Sequence, residues 1–444
     1  MFDAWLQPDG LPSLISQQEE VSWESLCHRV QAFTHDHASL QSQRVGLMMS
    51  SDINSVVRFI SLVSLGAHVY LMAAEPASSA GDELAGDFRL HSIFASDGSV
   101  THFQATSEPA DSPGAVTILT SGTTGKPKAA EHTWATLSRP VRRGAVRPRW
   151  LLTYRPHLYA GLQVMLQCLL NRGTLVIPDA RDSAEEVAAL AARSGVRFAS
   201  ATPSWWRWLL TLAGAEQIAA MSLEQITLGG EAVDQATLDA LHKAFPGTRL
   251  IHIYATTELG RCFSVTDGQA GFPARFLEQA SSDGVEMKID DGELVVRSAN
   301  AMTGYDANTI SSASQSSGQD VASPKSDWFR TGDLVALQGN RVHFVGRKTD
   351  MINVGGNKVY PIEVEKVVRS VDGVADTRVF GEASSIVGEL VKCELVLQSG
   401  YDANEVIKAV REKCGVELNA YQRPRFIEVV VEIPRTAAGK TVRH

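Results

Sequence analysis

The sequence predicts an α/β protein. A large layered α/β N-terminal domain with an added β-hairpin region comes first, and a small, mobile α+β C-terminal domain follows it. Three observations carry this. Short apolar, β-branched runs alternate with segments of helical periodicity from about residue 45 to residue 254. After residue 284 the alternation gives way to paired strands around turn residues. From Pro361 a short βα pattern resumes. The expected domains are 1–346 and 347–444.

Taken in order, residues 22–35 have helical spacing of apolar residues. Residues 45–49 read as a buried strand, 56–65 as a helix and 68–72 as a strand, together a βαβ unit. The Ala/Ser/Gly/Asp-rich stretch 74–87 reads as a loop. A strand over 115–120 follows, and a helical pattern starts near Glu131. Strands at 151–154, 174–178, 197–201, 224–228 and 249–254 then alternate with helices at 160–170, 183–194, 203–212 and 234–245. Such alternation builds a largely parallel sheet whose ligands sit beyond the carboxyl ends of its strands. The loops at 120 onward, 155–157, 202, 229 and 254 all fall at those ends. Hairpins are expected at 285–296 and 334–345, separated by a Ser-rich loop over 308–326. In the last stretch 363–371 and 405–414 read as helices, and 390–397 and 426–432 as strands.

Composition excludes several classes. The chain has 444 residues and a net charge of −9, so bulk charge makes no case for nucleic acid. No apolar run approaches membrane-spanning length, and the first residues lack the basic and apolar regions of a secretory signal. Five scattered cysteines have neither metal-ligand nor disulfide-framework spacing, which suits reduced thiols in the cytoplasm.

The chemistry starts at Thr120-Ser121-Gly122-Thr123-Thr124-Gly125-Lys126-Pro127-Lys128. The two glycines let backbone N–H groups turn toward an anion, the hydroxyls can donate to phosphate oxygens, and the lysines add charge. A plain surface turn shares this composition; the strand before it and the lysines after it point to phosphate. It is not a P-loop, because only two residues separate Gly122 from Gly125-Lys126, and Pro127 blocks the helix start. Further on, Gly229-Gly230-Glu231-Ala232 allows close backbone approach to a flat ligand, or is an ordinary strand-to-helix turn. In Tyr254-Ala255-Thr256-Thr257-Glu258 a ring can stack on a base, threonines can reach phosphate and a carboxylate can hold Mg²⁺ beside phosphates. Asp333 after Gly332 can accept two ribose hydroxyls or form a solvated turn. Lys440, on a glycine-bearing segment, reads alone as a solvated cation.

Order and spacing of these motifs resemble the adenylate-forming (AMP-binding) superfamily, which includes acyl- and aryl-CoA synthetases, nonribosomal-peptide adenylation domains and luciferases. The pattern is most similar to a stand-alone acyl- or aryl-CoA ligase. The resemblance implies that Thr120–Gly125 and Lys128 form the ATP signature loop, with Gly230, Glu231, Ala232, Tyr254, Ala255 and Thr256 around the nucleotide. Thr257 would hold the α-phosphate, Glu258 the Mg²⁺, and Asp333 and Arg347 the ribose. Lys440 would bridge the acid's carboxylate and the α-phosphate. Ala255 stands where the family usually has glycine, implying a tighter local pocket. Lys348 or Thr349 would be the hinge of a rotating small domain, and Gly355, Gly356 and Lys358 would line the thiol tunnel after rotation. The signature loop follows only 119 residues, which implies a trimmed N-terminal subdomain.

The implied reaction is ATP-dependent activation of a small-molecule carboxylic acid to an acyl-adenylate, then transfer to the phosphopantetheine thiol of CoA or of an acyl carrier protein. His157, with Tyr159 and Gly161, aligns with the family's acyl-pocket segment; Thr202, Gly229 and Ala255 complete that pocket, and His157 would also be catalytic. No acidic residue lies between Arg155 and Arg172 to pair with an ammonium group, so a non-amino acid, aryl or fatty acyl, is expected. Trp205 and Trp208 share a helix face, as core packing or as an aromatic pocket wall. The arginines at 139, 142, 143, 147 and 149 form a solvated basic face or a dock for CoA phosphates or an acidic carrier. A luciferase-like oxygenase and a non-catalytic nucleotide-binding scaffold are the rival readings.

Overall fold

A computed structural model describes residues 6–74, 78–103, 110, 112–120, 128–144, 147–305, 327–384, 388–436 and 439–443. Two sheets share a layer of helices. In the first, Arg249–Thr256, Gln225–Gly229, Phe198–Ala201, Arg149–Leu152, Thr174–Val176 and Pro12–Ile15 run parallel side by side, with antiparallel Gly260–Val265 and Glu20–Ser22 at its edges. In the second, Val116–Thr120, His68–Ala73, Arg44–Met49 and Ser92–Phe94 run parallel, with antiparallel strands outside them. Helices Trp23–Asp36, Ile53–Ser64 and Tyr159–Leu169 bury apolar side chains such as Leu26, Phe59 and Leu162 between the two sheets. The Ala184–Arg193, Pro203–Leu212 and Gln235–Ala244 helices cover the other face of the first sheet.

Both predicted hairpins form, and they join one five-stranded antiparallel sheet. The small domain is a mixed sheet, with Val374–Ser384 antiparallel to Gly388–Leu397, Phe426–Val429 parallel to the latter, and a hairpin of Ile352–Val354 and Asn357–Val359 at its edge. Helices Pro361–Arg369 and Ala403–Glu417 pack on it through Val364, Val368, Val406 and Val410.

Two expectations fail. Residues 78–87 form a helix, not a loop. Glu131 lies in a strand, Lys128–His132, which folds back antiparallel on Val116–Thr120; the helix starts only at Trp134, capped by Thr133. Ala129 and Ala130 favour helix alone, but pairing to a buried strand overrides propensity. The Ser-rich stretch 308–326 lies outside the described residues. Among those described, no helix is long and apolar enough to cross a membrane.

Candidate active site

The carboxyl ends of the first sheet open into a cleft of about 1710 Å³ that the small domain borders. Gly229, Gly230, Glu231 and Ala232 line it where the Gln225–Gly229 strand ends. Tyr254 to Glu258 line it from the end of the neighbouring strand. Asp333 and Arg347 enter from the hairpin sheet and Lys440 from the small-domain side. These residues, scattered over two hundred positions, meet because each sits at a strand end or on a loop anchored there.

Asp333 is nearly buried and its carboxylate is held on both sides. Tyr254 Oη donates to Oδ2 at 2.6 Å and Arg347 Nε to Oδ1 at 2.7 Å. A carboxylate offers about four lone-pair sites, so two remain for ligand hydroxyls. Burial and the Asp333 charge push the Tyr254 phenol well above its ordinary range, so it stays a donor. Glu258 accepts from Tyr305 Oη at 3.2 Å, and Lys128 Nζ lies 5.7 Å from the Tyr305 ring centre. Thr256 Oγ1 is used locally, accepting from Leu259 N at 3.1 Å. Thr257 faces the cleft while its carbonyl is bonded by buried His132 Nε2 at 2.8 Å.

The Lys440 segment is tied down at several points. Thr202 caps the Pro203–Leu212 helix by accepting from Trp205 N at 3.0 Å, and its hydroxyl donates to Gly439 O at 2.6 Å. Glu231 Oε2 accepts from Ser204 N and Oγ, and Oε1 from Thr441 N at 2.8 Å. A methyl group at Gly230 would stand 3.5 Å from Lys440 Cε, which places that side chain over the glycine turn. Burial and the Arg347 charge depress the Lys440 pKa against the pull of Glu231, Asp333 and Glu258. An arriving polyanion would favour the ammonium form.

The second wall of the cleft runs along the sheet. Alternate residues Trp150, Phe198, Ser200, Thr227, Ile251 and Ile253 share one sheet face, opposite Tyr159, Ala160, Gln163 and Val164 of the Tyr159–Leu169 helix. That wall carries no acidic side chain among the described residues.

Several expected site residues lie elsewhere. Ser121 to Lys126 fall outside the described residues, and Thr120 is described only as the last residue of its strand. His157 is buried and absent from the cleft wall, and burial and Arg155 lower its pKa to about 4, so it is neutral near pH 7. Gly161 packs behind the cleft, where a Cβ would meet the Arg155 carbonyl oxygen at 2.2 Å, so glycine there permits the close approach of loop and helix. Thr202 anchors the Lys440 segment rather than lining the acyl wall. Gly355, Gly356 and Lys358 are exposed on the small-domain hairpin, away from the cleft. Lys348 and Thr349 border the cleft; Lys348 Nζ bonds buried Glu293 at 2.7 Å.

Trp205 and Trp208 do not line the cleft. Trp206 is fully buried with Nε1 bonded to Thr227 O, Trp205 packs edge-on against it, and Trp208 lies under Arg435. The arginine cluster mostly serves the fold: Arg139 bonds Ala299 O, Arg143 bonds Leu170 O, Arg147 pairs with Asp9 and Arg149 bonds Ser194 O. Sequence reasoning missed His132, Tyr305, Ser204 and Arg207, whose partners lie far away in the chain.

Such a cleft, with an Asp–Tyr–Arg group on one side and a lysine presented from a second domain on the other, defines a two-domain class of nucleotide-handling α/β proteins. The AMP-binding enzyme profile matches residues 68–306, and the AMP-binding enzyme C-terminal domain profile matches 363–440. The chain belongs to the AMP-binding enzyme family. A 2-succinylbenzoate–CoA ligase of Bacillus pumilus is 26% identical over 483 positions, covering 99% of this chain and 95% of that one. The 2-succinylbenzoate–CoA ligase of Bacillus velezensis is 30% identical over 352 positions, covering 74% and 68%. The fold is shared with the anthranilate CoA ligase AuaEII in complex with anthranoyl-AMP, at a TM-score of 0.78, 20% identity, and coverage of 97% and 92%.

Proposed function

We infer that this chain is an AMP-forming acid–thiol ligase of the acyl-CoA synthetase type. It activates a non-amino carboxylic acid with ATP to an acyl-adenylate and passes the acyl group to a phosphopantetheine thiol, CoA foremost. The carrying observation is that Lys440 lies over Gly230 in the cleft that also holds Asp333, Tyr254, Arg347 and Glu258.

A free carboxylate is a poor acyl donor because its leaving group would be oxide. In the first step a carboxylate oxygen attacks the α-phosphorus of ATP, and the bond to pyrophosphate breaks. Asp333 takes the ribose hydroxyls, with Tyr254 and Arg347 holding it in place. Thr257 and Lys440 donate to the α-phosphate and to the incoming carboxylate, where negative charge builds up. Mg²⁺ suits a site with one carboxylate, Glu258, because that ion commonly takes one or two carboxylates and completes its shell with phosphates and water; when bound it supplies neutralising charge. In the second step the thiol sulfur attacks the acyl carbon and AMP leaves with the bonding pair. The small domain, taken as 347–444 and turning about Lys348–Thr349, would withdraw Lys440 and bring Gly355, Gly356 and Lys358 to the cleft.

For the acid we favour an aryl or other bulky acyl group. Trp150, Phe198, Ile251 and Ile253 offer a flat apolar wall, and the lack of a facing carboxylate disfavours an ammonium group. Relatives named for 2-succinylbenzoate and indoleacetate support an aryl acid. Five buried free cysteines are in keeping with a cytoplasmic site of action.

Pyrophosphate exchange over a panel of aryl and alkyl acids tests the proposal, followed by thioester assays with CoA and with a carrier protein. Exchange with an aryl acid and transfer to CoA are expected. Exchange with no acid would leave a nucleotide-binding scaffold in its place, and transfer only to the carrier would reassign the acceptor.

A further inference from the structure

Four charged side chains form a ring where the large and small domains meet. Arg207, on the Pro203–Leu212 helix, donates from Nε to Asp376 Oδ1 at 2.6 Å, and its Nη1 lies 3.8 Å from Asp234 Oδ2. Arg369, on the Pro361–Arg369 helix, donates from Nη1 to that same Asp234 oxygen at 3.1 Å, and its Nε lies 3.9 Å from Asp376. Each domain supplies one cation and one anion, and the signs alternate. The two short contacts cross between domains, while the two long ones stay within a domain. All four side chains are about one-tenth exposed.

Two limbs lead from this ring to Lys440. Arg207 Nη2 donates to Ser204 Oγ at 2.9 Å, Ser204 donates to Glu231 at 2.6 Å, and Glu231 accepts Thr441 N–H. Arg369 Nη2 donates to Glu365 at 2.9 Å, and Glu365 also accepts Arg443 Nη2 at 2.9 Å. The residues just after Lys440 are therefore held by the same network that joins the domains.

A ring of this kind adds little net adhesion, because desolvating four charges offsets most of their attraction. A misaligned version, however, leaves unpaired buried charge, which is far more costly. The interface thus selects an orientation more than it glues one. If the domains part, all four groups can regain water.

We propose that the Arg207–Asp376–Arg369–Asp234 ring is the positioning device that holds the small domain with Lys440 in the cleft. It then governs acid adenylation and not thiol transfer. The proposal rests on the two-step reaction above.

The test uses the full chain with Arg207→Met, Asp376→Asn and both together. Pyrophosphate exchange, thioester formation from supplied acyl-AMP, and the radius of gyration by X-ray scattering are measured. Each single variant is expected to lose exchange at least tenfold, and the double variant little more than the worse single. Thioester formation should stay within twofold of wild type, and the nucleotide-free radius should rise. Exchange within twofold of wild type, or equal loss in both half-reactions, overturns the proposal. Should Arg207→Met melt early, Arg207→Lys keeps the charge without the planar fork; a partial loss confined to exchange supports the ring, and wild-type exchange overturns it. A wild type inactive in both half-reactions with every acid removes the two-step reading instead. Scattering then still decides the ring, because an unchanged radius in Arg207→Met overturns it.

Discussion

The small domain carries two candidate tools, and the structure treats them differently. The Lys440 segment lies in the cleft, bonded through Gly439, Thr441 and Arg443. The Gly355–Gly356 hairpin is exposed, and its internal bond is from Gly356 N to Asn353 Oδ1 at 3.0 Å. In this arrangement the cleft is lined by Lys440 and not by Gly355 or Gly356. The difference teaches that, under the two-step function proposed above, this arrangement suits adenylation, and the proposed thiol transfer would use another.

Lys440→Ala should break the comparison most sharply. Losing a cation at developing phosphate charge costs about 10²–10³-fold in pyrophosphate exchange, while supplied acyl-AMP still becomes thioester. Equal loss in both assays would show that the segment serves both steps. Asp333→Ala comes next. Removing a charged acceptor of the ribose should raise the ATP KM about 10–100-fold and leave the acid KM nearly unchanged.

Glu365→Gln probes how the segment is anchored. Burial works against this carboxylate, but Arg443 and Arg369 outweigh it and hold its pKa below the ordinary value. Its contribution is therefore present above the unfolded carboxylate range and is lost as pH falls through the depressed folded value. The variant should be less stable at pH 7 by about 3 kcal/mol, and the gap to wild type should narrow as pH falls from the unfolded carboxylate range through the depressed folded value. A gap that stays constant with pH would mean that the ion pairs contribute nothing.

The smallest effect belongs to the exposed tool. Gly356 has φ +86, and a Cβ there meets no atom within 4 Å, so only backbone strain opposes Gly356→Ala. A left-handed alanine costs about 1–2 kcal/mol. Thiol transfer should fall about tenfold with exchange unchanged, in single-turnover assays of each step; a drop in exchange would place the hairpin in the first reaction instead.

Much of the large domain was legible in the sequence because its signals are local. The runs at 225–229 and 249–256 are apolar and end in glycine or hydroxyl residues, so both the strands and the chemistry beyond them could be read. The Thr202-Pro203 pair announces a capped helix start. Legibility failed where a partner is distant. Glu131 looks helical until Thr117 pairs with it. Val374–Ser384 went unread because Asp376 and Thr377 interrupt its apolar pattern, and both are buried for reasons visible only in three dimensions. His157 fits the pocket segment only by resemblance; the fold buries it beside the Met49 backbone, outside the cleft lining.

By itself the sequence determined which residues stand at the strand ends, because hydrophobic period and turn chemistry act over a few positions. It could not determine which small-domain tool faces the cleft. That choice rests on ion pairs between residues 169 and 135 positions apart, Arg207 with Asp376 and Asp234 with Arg369. Charges so distant acquire partners only when two folded surfaces meet, and only tertiary structure says which surfaces those are.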